Sequence, residues 1–151
     1  MKYEVLKDIT ENRPRFIPGT SEELDAVSAA PDNHIILFEN ELLRVIKVIV
    51  RPGEMENLHT HKYPCIFQIN NLVKTEYHDE NGNIIPRTGS GYSGMMIYVE
   101  PEGIHQVKNI DEECMEGIRF EIKSININIH YFFRIFTFKI INYIFIIFYI
   151  I

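Results

Sequence analysis

The chain has 151 residues, which fits one domain because single hydrophobic cores typically occupy ~100 to 150 residues. Its formal net charge of −6 and its lack of a basic stripe exclude a general electrostatic attraction to nucleic acid. Its two cysteines, Cys65 and Cys114, and a charged start with no apolar run after it indicate neither secretion nor a disulfide framework. The sequence therefore predicts a cytoplasmic protein.

The composition changes near residue 123. Every acidic residue lies at or before Glu121, whereas residues 124–151 contain no acidic residue, no glycine and no proline. Two of the 15 basic residues also lie in that final stretch, so the preceding part is more acidic than the whole chain. Three regions are predicted: an N-terminal arm with a short helix (1–32), a barrel (33–123) and an apolar tail outside the barrel (124–151).

The first predicted element is a helix in the N-terminal arm. Thr20 is followed three residues later by Glu23, which is the spacing of a capping box, and good helix formers continue to Pro31. This pattern predicts one short helix that begins at Thr20.

From His34 onward the chain shows a strand pattern. Short runs rich in Ile, Val, Leu and Phe alternate with turn residues, including the Pro52-Gly53 and Asn81-Gly82 turn signals. About seven to eight strands at this spacing, with no helical pattern between them, indicate an all-β sandwich or barrel rather than a parallel α/β sheet. The predicted strands lie in "HIILF", "ELLRVIKVIV", "PCIFQIN", "LVKTEYHD", "MMIYVE", "HQVKNI" and "MEGIRFEIK".

Two histidines, His59 and His61, flank a single threonine. Successive side chains of a strand point to opposite faces, so these two imidazoles project to the same side and can meet one ion. A metal site needs about three protein ligands, and the best third candidate is His105, after a predicted Pro-x-Gly turn. The pair alone is equally compatible with two core or surface histidines.

The context of these histidines resembles the cupin family. Residues 53–61, "GEMENLHTH", resemble the first cupin motif, and residues 94–109, "GMMIYVEPEGIHQVKN", resemble the second. The resemblance covers about residues 33–123. It implies a jelly-roll β-barrel whose two motifs face the interior and share one divalent metal ion, either Fe, Zn or Ni. The residues that it implies as ligands are His59, His61 and His105.

Cys65 marks a departure from the family pattern. The first cupin motif usually has a glutamate three or four residues after its second histidine, and this chain has Cys65 or Ile66 there. Cys65 is either a fourth ligand, as a thiolate that favours Zn or Fe, or a small buried hydrophobe. If Cys65 faces inward, Phe67 and Ile69 do too, and they line an apolar cavity beside the metal.

Other polar residues are candidates for holding the ligands or orienting a substrate, although each is also an ordinary sheet or turn residue. These candidates are Tyr63, Gln68, Tyr98 and Asn109. The remaining histidines lack partners at ligand spacing, and we expect them to be structural or surface residues. They are His34, His78 and His130.

The resemblance implies a mononuclear metal-binding protein. Three histidines with open coordination positions suit an Fe(II)-type dioxygenase or an isomerase acting on a small organic substrate. The alternative is a non-catalytic cupin that binds a small ligand, with or without metal, as a sensor. The missing motif glutamate favours this alternative. The expected partners are a small molecule and a second copy of the chain in a homodimer.

The tail has three interpretations. Residues 131–151 are long enough to cross a bilayer as an anchor, but Lys139 lies inside this stretch, and the apolar part after it is too short to span. The tail also consists almost entirely of residues encoded by codons poor in G and C, so translation past a lost stop would produce it. A core or dimer element is the third interpretation. Such an apolar, β-prone segment is an aggregation hazard if left free.

Overall fold

The computed structural model describes residues 12–86 and 91–123. Within these residues the chain forms a 3-10 turn, one short helix and eight strands. The 3-10 turn spans Glu22–Leu24 and α1 spans Ala26–Ala29. The strands are β1 (His34–Glu39), β2 (Leu43–Val50), β3 (His59–His61), β4 (Cys65–Asn71), β5 (Thr75–Asp79), β6 (Met96–Val99), β7 (Glu102–Asn109) and β8 (Met115–Ile122).

The N-terminal helix differs from the sequence prediction. The predicted helix is replaced by two elements, each with its own cap. Ser21 caps the 3-10 turn by accepting a hydrogen bond from the Glu23 amide, and Asp25 caps α1 by accepting one from the Val27 amide. Thr20 is not a cap. Asp25 has extended dihedral angles, with φ −58° and ψ 135°, so a continuous helix cannot pass through it. The Thr20 hydroxyl instead donates to the carbonyl of Ile17, at 2.7 Å.

The strands form two antiparallel sheets, which confirms the all-β jelly-roll prediction. The five-stranded sheet has the order β1-β2-β8-β4-β6, and the three-stranded sheet has the order β3-β7-β5. In the described residues the two sheets remain separate, so the barrel is not closed by a continuous ladder of hydrogen bonds. The molecule is a two-layer sandwich, with the interior between the layers.

The interior combines an apolar core with buried charged residues. β2 and β8 alternate between buried and less buried positions throughout, and β4 does so up to Asn70, as a sheet with one face on the core requires. The buried residues of the apolar core belong mainly to β2, β4 and β6: Ile46, Val48, Val50, Cys65, Phe67, Ile69, Met95, Ile97, Val99 and Met115. The same inward phase buries Arg44, Arg119 and Glu121 beside this core, where Arg119 lies over the Phe67 ring.

Two of the predicted turns are confirmed, and the third prediction is wrong. Gly53 and Gly82 have positive φ angles, of 75° and 81°, in the turns between β2 and β3 and after β5. The Pro-x-Gly segment is not a turn, because β7 already begins at Glu102 and includes Gly103. Glu102 forms an isolated bridge with Arg15 of the arm, and the Gly103 amide donates to the carbonyl of Pro14 at 2.7 Å. These contacts pair the start of β7 with the arm.

The predictions for the tail lie outside the described residues. Within the described ranges, no helix has the length and apolar character needed to cross a membrane.

Candidate metal centre

Four buried histidines meet at one end of the interior. His59 and His61 project inward from β3, with ring centres 5.1 Å apart, and His105 of β7 lies 4.4 Å from His59 and 5.7 Å from His61. His34, the first residue of β1, lies 4.6 Å from His59 and 5.1 Å from His61. We call His34, His59, His61 and His105 the histidine cluster.

Strand register explains how three of these residues come together. β3 pairs antiparallel with β7, and His59 stands opposite His105 while His61 stands opposite Glu102. The register shifts between the two pairs because two residues of β7, Gly103 and Ile104, oppose the single Thr60 of β3, so the bulge lies in β7. The hydroxyl of Thr60 donates to the carbonyl of Leu24 at 3.1 Å, which attaches the outer side of β3 to the N-terminal turn.

Each ring of the histidine cluster is oriented through the same nitrogen. Nδ1 lies 2.8 Å from the Asn57 carbonyl in His59, 2.7 Å from the Gly103 carbonyl in His105 and 2.9 Å from Glu121 in His61. A carbonyl or carboxylate oxygen only accepts, so Nδ1 carries the proton and Nε2 keeps its lone pair. Histidines that bind metals typically have this arrangement.

The cluster is electrically neutral at neutral pH. Burial lowers the pKa of His34 to about 3 and that of His105 to about 4, and it holds the pKa of His59 and His61 well below the usual range. The physical cause is burial: a positive charge on a buried imidazole loses its hydration, and the nearby carboxylates compensate only part of that loss. Neutral imidazole is the form that binds metal ions.

The ligand atoms form two overlapping groups in the described part of the chain. One atom each from His34, His59 and His61 lie within 4.8 Å of one another, and the same holds for His61, Glu102 and His105. Nitrogens bound to one ion at ~2.0 to 2.1 Å lie at most about 4.2 Å apart, so shifts of under about 1 Å would bring either group around an ion. Of the three ligands predicted from sequence, His61 belongs to both groups, His59 only to the first and His105 only to the second.

His34 was expected to be a structural or surface residue without ligand partners; it is buried, and one of its ring nitrogens lies within 4.8 Å of ligand atoms of His59 and His61. It faces inward because it stands opposite Val48, an inward residue of β2. One signal was available in the sequence: His34 is a polar residue at the start of an apolar strand. His78 meets the expectation, since both of its ring nitrogens have partners, Gly82 and Glu76. His130 lies outside the described residues.

Sequence reasoning also missed the buried charges beside the cluster. Glu102 lies between the guanidinium groups of Arg13, with which it forms an ion pair, and Arg119, at 2.8 Å, and it accepts from the Tyr77 hydroxyl at 3.3 Å. Burial alone would raise the pKa of Glu102, but the two guanidinium groups hold it well below its usual range. The Tyr77 ring stacks on His105, with centres 4.7 Å apart.

Cys65 lies in the apolar core and not in the cluster. It is fully buried, as are the inward-facing Phe67 and Ile69 on the same strand. Burial raises the pKa of its thiol to about 12, so a neutral thiol is expected at neutral pH. Neither group of ligand atoms includes Cys65. These observations match the interpretation of Cys65 as a small hydrophobe.

The four polar residues that were candidates for holding ligands lie away from the cavity. Tyr63 is half-buried and packs against Arg44 and Lys62. Gln68 and Tyr98 occupy the outward phase of β4 and β6, between buried neighbours. The amide of Asn109 is buried but donates to the carbonyls of Val50 and Glu113, so it connects strand and turn backbones.

A small cavity of about 70 Å³ lies beside the histidine cluster. The ionisable residues Arg13, Glu56, Glu102 and Arg119 line it together with apolar side chains such as Phe67 and Ile97. A water occupies about 30 Å³ in the liquid, so the cavity holds a few waters or a ligand of a few non-hydrogen atoms. It is smaller than the roughly 300 to 1,000 Å³ typical of pockets for larger organic ligands.

Comparison with known proteins identifies the fold. No family model matches the chain, and no curated protein matches it. A solved cupin domain from Bordetella pertussis Tohama I matches with a TM-score of 0.52 at 18% identity, over 60% of this chain and 92% of that one. An RmlC-like cupin family protein from Methanocaldococcus jannaschii matches with a TM-score of 0.46 at 15% identity, over 59% and 77% of the two chains. At these identities the likeness is one of fold.

Proposed function

The chain folds as a small cupin domain, and from this fold and its histidine cluster we propose that it binds one divalent transition-metal ion. The proposed ligands are His59, His61 and His105. The observation that carries the proposal is the shared orientation of these rings: acceptors hold each Nδ1, while each buried ring keeps its Nε2 lone pair. Nitrogen donors of this kind suit Fe, Zn or Ni rather than Mg or Ca.

We further propose that the site acts on a small organic molecule, as an oxygenase or an isomerase. A divalent metal held there would supply a Lewis acid with open positions for substrate or dioxygen. The chain's own residues would limit the substrate by size, since the cavity measures about 70 Å³. Arg119 and Arg13 would attract an anionic group, although Glu102 already neutralises part of their charge.

A non-catalytic small-ligand cupin is the second candidate. The observation that favours it is the absence of the motif carboxylate, because the buried thiol of Cys65 stands in that region of the sequence and outside the cluster. In this case the cavity would bind a small molecule without converting it.

Metal analysis of the full chain tests the metal site. We expect near-stoichiometric metal in the parent protein and a loss of most of it in the His59→Ala, His61→Ala double variant. The matched control is His78→Ala, which removes a histidine whose two nitrogens already have protein partners. Equal metal content in the parent and the double variant would refute the site.

Oxygen uptake by the Fe(II)-loaded protein, together with product analysis for isomerisation, separates the two candidates. A panel of small diketones, thiols and phenols should include at least one substrate if the protein is an oxygenase, and the double variant should be inactive on it. Binding of panel members without turnover, under aerobic conditions and with any of the three metals, would favour the non-catalytic protein.

A further inference from the structure

His34 occupies a position from which it can complete the metal site. Its backbone amide and its Nδ1 both lie near the carbonyl of Ala30, at 3.0 and 3.3 Å, where α1 ends. This contact orients the His34 ring through Nδ1, and the other three rings of the histidine cluster are oriented through their own Nδ1 atoms. Among the described residues its Nε2 has no hydrogen-bond partner, and an oxygen of Glu56 lies beyond hydrogen-bond distance at 3.7 Å.

The ligand atoms favour His34 over the other candidates for a fourth ligand. Cys65 lies outside both groups of close ligand atoms in the described residues, whereas His34 belongs to one of them. Glu102 belongs to the other group, but its two oxygens already accept from Arg13, Tyr77 and Arg119. Binding of Glu102 to a metal would weaken the pairing of two buried guanidinium groups, which is costly. In the described part of the chain, His34 Nε2 has no such competing hydrogen bond.

A second observation points to the same place. Glu56 is buried, and its Oε1 has no hydrogen-bond partner among the described residues. This oxygen is the atom that lies 3.7 Å from His34 Nε2, while Oε2 accepts from the Val107 amide at 3.2 Å. Buried polar atoms are nearly always satisfied, so the unpartnered Oε1 marks polar space beside His34 Nε2, and Glu56 itself is mainly neutral at neutral pH because burial raises its pKa to about 8.

We propose that His34 is the fourth protein ligand of the metal, in place of the missing motif glutamate. The inference rests on the proposed metal site and adds a residue from β1, outside both sequence motifs. The ligand set would then be four neutral imidazoles, so the full positive charge of the ion would remain uncompensated by its ligands. Such a set favours Zn, Ni, Co or Cu over Mn or Mg.

Cobalt binding to the full chain tests this proposal. Metal-free parent, His34→Ala, His78→Ala and the His59→Ala, His61→Ala double variant are titrated with Co²⁺, and the visible d–d absorption gives both affinity and coordination. We expect His34→Ala to bind Co²⁺ about 100-fold or more weakly than the parent and with altered bands, because it loses a ligand rather than only an outer partner. His78→Ala should match the parent.

The outcomes separate this inference from the proposed function. If His34→Ala keeps the parent affinity and spectrum while the double variant binds no cobalt, His34 is not a ligand and the three-histidine site stands. If the parent itself binds no cobalt, both proposals fail. X-ray absorption of the cobalt-loaded parent needs no variant and covers the case in which His34→Ala does not fold. It should count four imidazoles, and a count of three would overturn the inference.

Discussion

Glu121 connects the histidine cluster to the buried charges of the sandwich. Its carboxylate accepts from His61 Nδ1 at 2.9 Å and from Arg44 at 2.6 Å, and Arg119 lies 3.7 Å away. Arg44 in turn pairs with Asp25 at 2.9 Å, at the start of α1. One fully buried carboxylate therefore orients a proposed metal ligand and also compensates a buried guanidinium group.

We predict that Glu121→Gln lowers both stability and metal affinity. The change removes the negative charge but keeps the shape, leaving Arg44 with less compensation, and breaking a buried ion pair from one side typically costs ~3 to 5 kcal/mol. Metal affinity should fall about 10- to 100-fold, since His61 loses its charged orienting partner. Urea unfolding of the metal-free protein and a competition titration measure the two effects. The control is Glu116→Gln, on the same strand but partly exposed beside Lys47; equal results for both variants would contradict the prediction.

The N-terminal arm forms one wall of the cavity by pairing with β7. Phe16 donates to the Pro101 carbonyl at 3.2 Å, and Gly103 donates to the Pro14 carbonyl at 2.7 Å, so an isolated bridge holds the arm beside β7. This pairing brings Arg13 to Glu102. A Cβ atom at Gly103 would lie 2.6 Å from the carbonyl oxygen of Arg15, closer than real contacts allow.

We predict that Gly103→Ala displaces the arm. The neighbouring atoms are backbone, so relief requires movement of the arm, and overpacking of this kind costs about 1 to 3 kcal/mol. Hydrogen exchange at the Phe16 and Gly103 amides should become faster, and thermal unfolding should occur at a lower temperature. Lys108→Ala, further along β7, is the control, because it adds no atom beside the arm. Unchanged exchange at both amides in Gly103→Ala would show that the arm tolerates the methyl group.

The sequence allowed the elements to be predicted better than their contacts. Apolar runs between turn residues identified the strands, the spacing of His59 and His61 placed both on one side of the chain, and both are buried. His34 and the pairing of Arg13 with Glu102 were missed, because both depend on contacts between segments far apart in sequence, which local patterns do not encode. The Pro-x-Gly segment was misread as a turn, since the close approach of the arm that requires glycine there is also non-local.

At the scale of the whole molecule, the five-stranded sheet ends in an apolar strand. In the described residues β1 pairs only with β2, and its burial pattern shows one buried residue followed by five exposed ones. Four consecutive apolar side chains, residues 35–38, are between 44 and 55% exposed. Soluble proteins usually protect such an edge with charges, proline or a covering element.

We propose that the edge of β1 pairs with β1 of a second copy, which would account for the expected homodimer. An antiparallel pair of identical strands is self-complementary, and it would satisfy the free backbone groups of both edges while covering their apolar side chains.

The change Phe38→Lys places a charge in this contact, so we predict that it shifts the protein from dimer to monomer in sedimentation velocity at micromolar concentrations. Metal content should be unaffected, because Phe38 is exposed and does not line the cavity. Lys47→Ala on β2 is the matched surface control. A parent protein that is monomeric at all concentrations, or a Phe38→Lys variant that remains dimeric, would show that β1 is not the interface.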